Sequence, residues 1–137
     1  MSTFHGGATC CGLKLMHLLV DSSYEAEAVA TGKAGELLAH HRNILRAMGI
    51  PPDGPTFVGT DNSANALVAS GRSLPSRARH CLRRYLTFLQ RVAAKEATVG
   101  HVPDAEMPAD FMTKWVSAAK LLASLAYATN AKNRVTR

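Results

Sequence analysis

Three carboxylates stand where elements of the chain are expected to begin or end. Glu27 falls in the first turns of a predicted helix, Asp61 at the carboxyl end of a predicted strand, and Asp110 at the opening of the last predicted helix. The carboxyl ends of strands are where α/β sheets place ligands. An acidic group near a helix start also caps backbone N–H groups or faces the positive end of the dipole, so each residue alone has a structural explanation. Brought together, three carboxylates cannot all ionise cheaply without a cation. Hard oxygen donors of that kind suit Mg²⁺ or Mn²⁺.

Other reactive side chains offer less. Cys10 and Cys11 are adjacent and Cys81 is distant, which is not the C-x₂₋₄-C spacing of a structural zinc site, so buried or free thiols are expected. His40 and His41 are neighbours on a helix, where successive side chains diverge by about 100°; partial exposure suits them better than a shared ligand. Arg77, Arg83, Arg84 and Arg91 interleave with Tyr85 and Phe88, a pattern that can line a nucleic-acid groove. Tyr85 shares an apolar face with Leu82, Leu86, Leu89 and Val92, however, so the aromatics are assigned to packing and the arginines to phosphate. Trp115 occupies an apolar helix position and is expected in the core.

The elements that must position these groups follow from pattern and punctuation. Residues 1–12 read as a strand remnant and a turn. Residues 13–20, LKLMHLLV, form an apolar run of strand length bounded by Gly12 and Asp21-Ser22-Ser23. Ser22-Ser23-Tyr24-Glu25 fits a capping box, and helical periodicity through Val29, Leu37, Leu38, Ile44, Leu45 and Met48 runs to Gly49, with Pro51-Pro52 beyond. Gly32 and Gly35, inside that helix, either permit close packing or weaken its middle. TFVGT at 56–60 predicts a short buried strand ending at Asp61. Residues 62–70 predict a short helix stopped by Gly71, residues 76–94 a basic helix, 97–102 a strand, and 109–127 a last helix. The alternation argues for an α/β sheet with helices packed on it. Residues 1–128 are expected to form one domain, and 129–137 a polar tail.

Composition bounds the class. The chain has 137 residues, 47% of them hydrophobic, enough for a real core. Three cysteines exclude a disulfide-dense secreted scaffold. The sequence shows neither a membrane-length apolar run nor a signal-peptide pattern, so an intracellular compartment, cytoplasmic or nuclear, is expected. Lys and Arg number 16 against 10 Asp and Glu, for a net charge of +6. Residues 1–71 carry 4 basic and 6 acidic groups, 4 − 6 = −2, and residues 72–137 carry 12 and 4, 12 − 4 = +8. A basic half of this size attracts a polyanion at low salt.

Several short motifs carry a resemblance. Asp21-Ser22-Ser23-Tyr24-Glu25-Ala26-Glu27-Ala28 resembles the S-S-T-E-A-E-Y stretch of the ribonuclease H domain in Ty1/copia-type retrotransposon polyproteins. Thr60-Asp61-Asn62-Ser63-Ala64 resembles that domain's C-D-N-Q-S-A, and Ser76-Arg77-Ala78-Arg79-His80 with Arg84-Tyr85 its S-R-T-K-H…R-Y helix. His101-Val102-Pro103 and Pro108-Ala109-Asp110-Phe111-Met112-Thr113-Lys114 resemble its Y-V-P…L-A-D-I-L-T-K ending. The order and spacing of the motifs across residues 21–114 make the match specific.

The resemblance implies a ribonuclease H-like mixed sheet with helices on it, and metal-dependent hydrolysis of the RNA strand of RNA–DNA hybrids. Two divalent ions, Mg²⁺ or Mn²⁺, would stabilise the attacking water and the leaving oxygen. It assigns Glu27, Asp61 and Asp110 as catalytic metal ligands. His101 stands where cellular relatives keep a mobile histidine and copia-type domains usually have tyrosine. Asn62, Arg77, Arg79, Arg83 and Arg84 fall to nucleic acid, and upstream reverse transcriptase segments of the same polyprotein are a further expected partner. The sequence departs from the pattern at the family's first aspartate. Upstream of Glu27 it offers only Asp21 and Glu25, neither on a first strand, so the first strand is expected to be missing and two-metal hydrolysis impaired. A non-catalytic nucleic-acid or ribonucleoprotein-binding remnant and an inactive gene fragment are the alternatives.

Overall fold

The computed structural model describes residues 2–4, 7–10, 22–73 and 81–131. The chain divides into two compact units, Leu19–Val102 and Met1–Leu18 with Pro103–Arg137. The expected strand at 13–20 and the first residues of the basic helix lie outside the described residues. So do Asp21, Arg77 and Arg79.

Two short strands, β1 (Ser2–Phe4) and β2 (Gly7–Cys10), belong to the second of these units. The unit Leu19–Val102 holds α1 (Ser23–Ala47), β3 (Thr56–Thr60), α2 (Ser63–Ala69), α3 (Leu82–Ala93) and β4 (Ala97–His101). α1 begins where the capping pattern places it: the Ser22 hydroxyl accepts from the Glu25 backbone N–H at 3.2 Å. It ends in a Schellman motif, with Ile50 N–H on Leu45 O at 3.0 Å, Gly49 N–H on Arg46 O at 3.1 Å and Gly49 at φ +76°. Gly71, at φ +75°, closes α2 the same way.

β3 and β4 pair in parallel, from Thr56 opposite Ala97 to Thr60 opposite His101. Parallel partners need a crossover, and α2 and α3 supply it. The inner face presents Val58, Ala97 and Val99 to a core of Ala28, Leu38, Val68, Ala69, Cys81, Tyr85 and Phe88. The outer face corrects the expectation of a buried strand at 56–60: Phe57 is 62% exposed and lies over Gly100, where a Cβ would stand 2.6 Å from its ring.

The buried stripe of α1 is Ala28, Thr31, Gly35, Leu38 and Arg42, whereas Leu37, Ile44 and Met48 are exposed. Gly32 and Gly35 therefore serve close packing. A Cβ on Gly32 would meet the Arg84 carbonyl oxygen at 3.0 Å, and one on Gly35 the Phe88 ring at 3.1 Å. On α3, Phe88 and Tyr85 are fully buried while Leu86 turns outward, a second correction to the expected apolar face. Glu96 joins the ends of α1 and α3, receiving Arg46 at 2.8 Å and Arg91 at 2.7 Å.

In the other unit, β1 and β2 pair antiparallel as a hairpin. Its later part corrects the continuous helix expected over 109–127. After a 3₁₀ turn at Asp104–Glu106, that stretch holds a second 3₁₀ turn at Asp110–Met112 and then the helix α4 (Ala118–Ala128). Ser117 caps α4, accepting from the Lys120 backbone N–H at 3.3 Å. Trp115, in the break, is fully exposed rather than in the core. The architecture is mixed α/β, and its described strands form two separate two-stranded sheets. Among the described residues no helix is long and apolar enough to cross a membrane.

Candidate functional site

Two of the three candidate carboxylates, Glu27 and Asp61, lie in the unit Leu19–Val102, and Asp110 lies in the other. Glu27 follows the capped first turn of α1 and is half-buried. Asp61 directly follows β3, at the carboxyl end of the parallel pair, and is also half-buried.

The residue joining helix to strand end is Asn65. It is 3% exposed, and its side chain has four polar partners within hydrogen-bond distance. Its amide nitrogen donates to Glu27 Oε2 at 3.4 Å and to Thr60 Oγ1 at 3.3 Å. Its carbonyl oxygen accepts from the Tyr85 hydroxyl at 2.7 Å and from the Thr31 hydroxyl at 3.1 Å. Two donors and two lone pairs are the whole capacity of an amide side chain. α1, the end of β3, α2 and α3 thus converge on one side chain, and the Glu27 carboxylate is held toward the strand end. Burial pushes the Tyr85 hydroxyl well above the usual phenol range, so it stays a donor to Asn65.

Asn62 and His101 surround the same strand end. Asn62 is the N-cap of α2, its side-chain oxygen accepting from Asn65 N–H at 3.1 Å, so its amide acts first on the backbone. His101 is exposed at the end of β4, with Nε2 3.1 Å from the Asp61 carbonyl oxygen. Arg83 is exposed, and Arg84 reaches the Glu25 carboxylate at 3.5 Å. Cys81 is a buried free thiol whose pKa burial pushes up, which accords with a packing role. The rings of His40 and His41 lie 6.0 Å apart.

Asp110 has a different setting. It is 4% exposed, and both its carboxylate oxygens face ammonium groups. Lys120 Nζ donates to Oδ2 at 2.6 Å, and Lys114 Nζ lies 3.5 Å from Oδ1. Asp104 shares both lysines, at 3.1 Å from Lys114 and 3.4 Å from Lys120. The Lys114 ammonium holds the exposed Asp104 carboxyl below its ordinary range, and Asp110 raises the pKa of Lys120.

The hard oxygens of Glu27 and Asp61 are of the type that Mg²⁺ or Mn²⁺ takes. Asp110 is an oxygen donor of the same type, with its two oxygens facing the Lys120 and Lys114 ammonium groups. Sequence reasoning missed Asn65, Thr31 and the Lys114–Lys120 pair. Asn65 had one local signal, an amide on the same short helix face as Val68 and Ala69. Lys120 had none, since its link to Asp110 follows no helical repeat. No protein-family model, curated protein or solved structure matches the chain.

Proposed function

We propose that the chain is a ribonuclease H-like domain of the copia type that engages RNA–DNA hybrids, with hydrolysis impaired. The observation that carries this reading is the Asn65 amide, which links Glu27 to Thr60 beside Asp61. Two motifs that resemble the same family, 21–28 and 60–64, thereby meet at the carboxyl end of a parallel strand. On this reading Glu27 and Asp61 are the carboxylates offered to a divalent ion, and the exposed Arg83 is offered to phosphate. A reverse transcriptase segment of the same polyprotein is the protein partner consistent with this reading.

The test is cleavage of end-labelled RNA in a hybrid duplex with Mg²⁺ or Mn²⁺, comparing wild type with Asp61→Asn and Glu27→Gln. Weak cleavage that both substitutions abolish is expected. Wild-type cleavage no greater than that of the variants refutes hydrolysis.

A second reading, a non-catalytic nucleic-acid binder, is favoured by the occupied state of Asp110. It expects hybrid binding that survives Glu27→Gln and falls steeply with added salt, as phosphate contacts require. Binding insensitive to salt, or absent, refutes it.

A further inference from the structure

We propose that Asp110 is not a metal ligand in this chain: the Lys120 ammonium is its resident cation, and Asp110 is a positioning residue that fastens the 103–112 segment to α4. This rests on the ribonuclease H-like reading only for the role Asp110 would otherwise have.

The geometry points to a cage already filled. An ammonium has three N–H donors. Those of Lys120 have three oxygens within reach: Asp110 Oδ2 at 2.6 Å, Asp104 Oδ2 at 3.4 Å and the Asp104 backbone carbonyl. The second oxygen of Asp110 faces Lys114. Each of the two aspartates thus faces both ammonium groups, and both oxygens of Asp110 have a lysine beside them. The carboxylate is 5% exposed and the Lys120 side chain 17%, so a metal taking Oδ2 would have to expel the amine. Expulsion would separate a largely buried pair and leave the amine without its partner, the strongly unfavourable way to break such a contact. Lys120 is also fixed by its own backbone, since its N–H completes the Ser117 cap in the first turn of α4.

Thermal unfolding in the presence of chelator tests the role without metal or nucleic acid. Wild type, Asp110→Asn, Lys120→Met and the double variant are compared, with Lys120→Arg as the charge-retaining control. Each single variant should melt several degrees below wild type, the double should lose clearly less than the sum, and Lys120→Arg should keep most of the stability. Direct titration of wild type and Asp110→Asn with Mn²⁺, read by electron paramagnetic resonance, supplies the second measurement. Equal Mn²⁺ affinity in the two proteins is expected. Affinity lower by about tenfold or more in Asp110→Asn overturns the proposal. So do single variants that melt with wild type, or losses that simply add. Should Lys120→Met not fold, the Mn²⁺ comparison and Lys120→Arg decide. Failure here leaves hybrid cleavage through Glu27 and Asp61 untouched, and a chain that passes but ignores hybrids loses only the proposed function.

Discussion

Replacing Asn65 by alanine should be among the most damaging single changes in the unit Leu19–Val102. The side chain is 3% exposed and satisfies hydroxyls on two helices. Its loss strands the Tyr85 hydroxyl on a residue with no exposed surface and the Thr31 hydroxyl on one that is 8% exposed. Each unsatisfied buried polar group costs about 1–3 kcal/mol. Glu27 and Thr60 are half-buried and can turn to water, so they add little. The expected loss is about 3–5 kcal/mol, measured by urea unfolding. Tyr85→Phe should cost only about 0.5–1.5 kcal/mol, because Thr31 still donates to the Asn65 oxygen. The double variant is the sharper measurement. With the Tyr85 hydroxyl gone, Asn65→Ala strands one group fewer and should cost about 1–2 kcal/mol less than in wild type. An Asn65→Ala loss below about 1 kcal/mol, or costs that add within about 0.5 kcal/mol, would refute the view that one amide ties the four elements together.

Glu96 gives a pH dependence of defined sign. Hydrogen bonds from Arg46 and then Arg91 hold its carboxyl down from 4.5 to about 2, so the stabilisation is complete above the unfolded value and is lost as pH falls from 4.5 to 2. At about 1.36 kcal/mol per pKa unit, reduced because Arg46 is nearly half-exposed, the pair contributes about 1–2 kcal/mol. The stability gap between wild type and Glu96→Gln, measured by urea unfolding, should close across that window; a gap that persists at pH 2 contradicts the assignment. Gly32→Ala should lower the melting temperature even though alanine favours a helix by about 1 kcal/mol. The new methyl would meet the Arg84 backbone carbonyl at 3.0 Å, and a stabilised variant would mean that α1 and α3 sit farther apart. Trp115 is the one tryptophan of the chain and is fully exposed, so its fluorescence maximum should hardly move on unfolding. A native maximum well to the blue would put the indole in a core instead.

Local chemistry made the helix ends legible and non-local packing hid their faces. Ser22, Gly49 and Gly71 act on backbone groups a few residues away, so the Ser22 cap and the two positive-φ glycines could be expected from short patterns alone. The buried side of α1 could not. Leucine periodicity pointed to Leu37, Ile44 and Met48, whereas the buried stripe begins with Ala28, Thr31 and Gly35, because two helices that approach closely need small residues between them. Ser117 was a readable cap, but the helical pattern carried on from Asp110 overran it and drew Trp115 into a core it does not enter.

The carboxylates show the same division in chemical form. Residue type and spacing selected Glu27, Asp61 and Asp110 together, as three equivalent hard-oxygen donors. What separates Glu27 from Asp110 is the partner each meets. Glu27 accepts a hydrogen bond from the Asn65 amide, which also reaches Thr60 at the strand end. Asp110 meets two ammonium groups. On the proposed reading an ammonium competes with a divalent ion for a carboxylate, so Lys120 and Asn65 bear on any metal chemistry as the acids themselves do. Neither stands at a spacing that links it to its acid in the sequence: Asn65 reaches Glu27 from another helix, and Lys120 reaches Asp110 across the break at Ser117. Sequence pattern therefore picks out candidate acids, and the folded neighbours set what each of them meets.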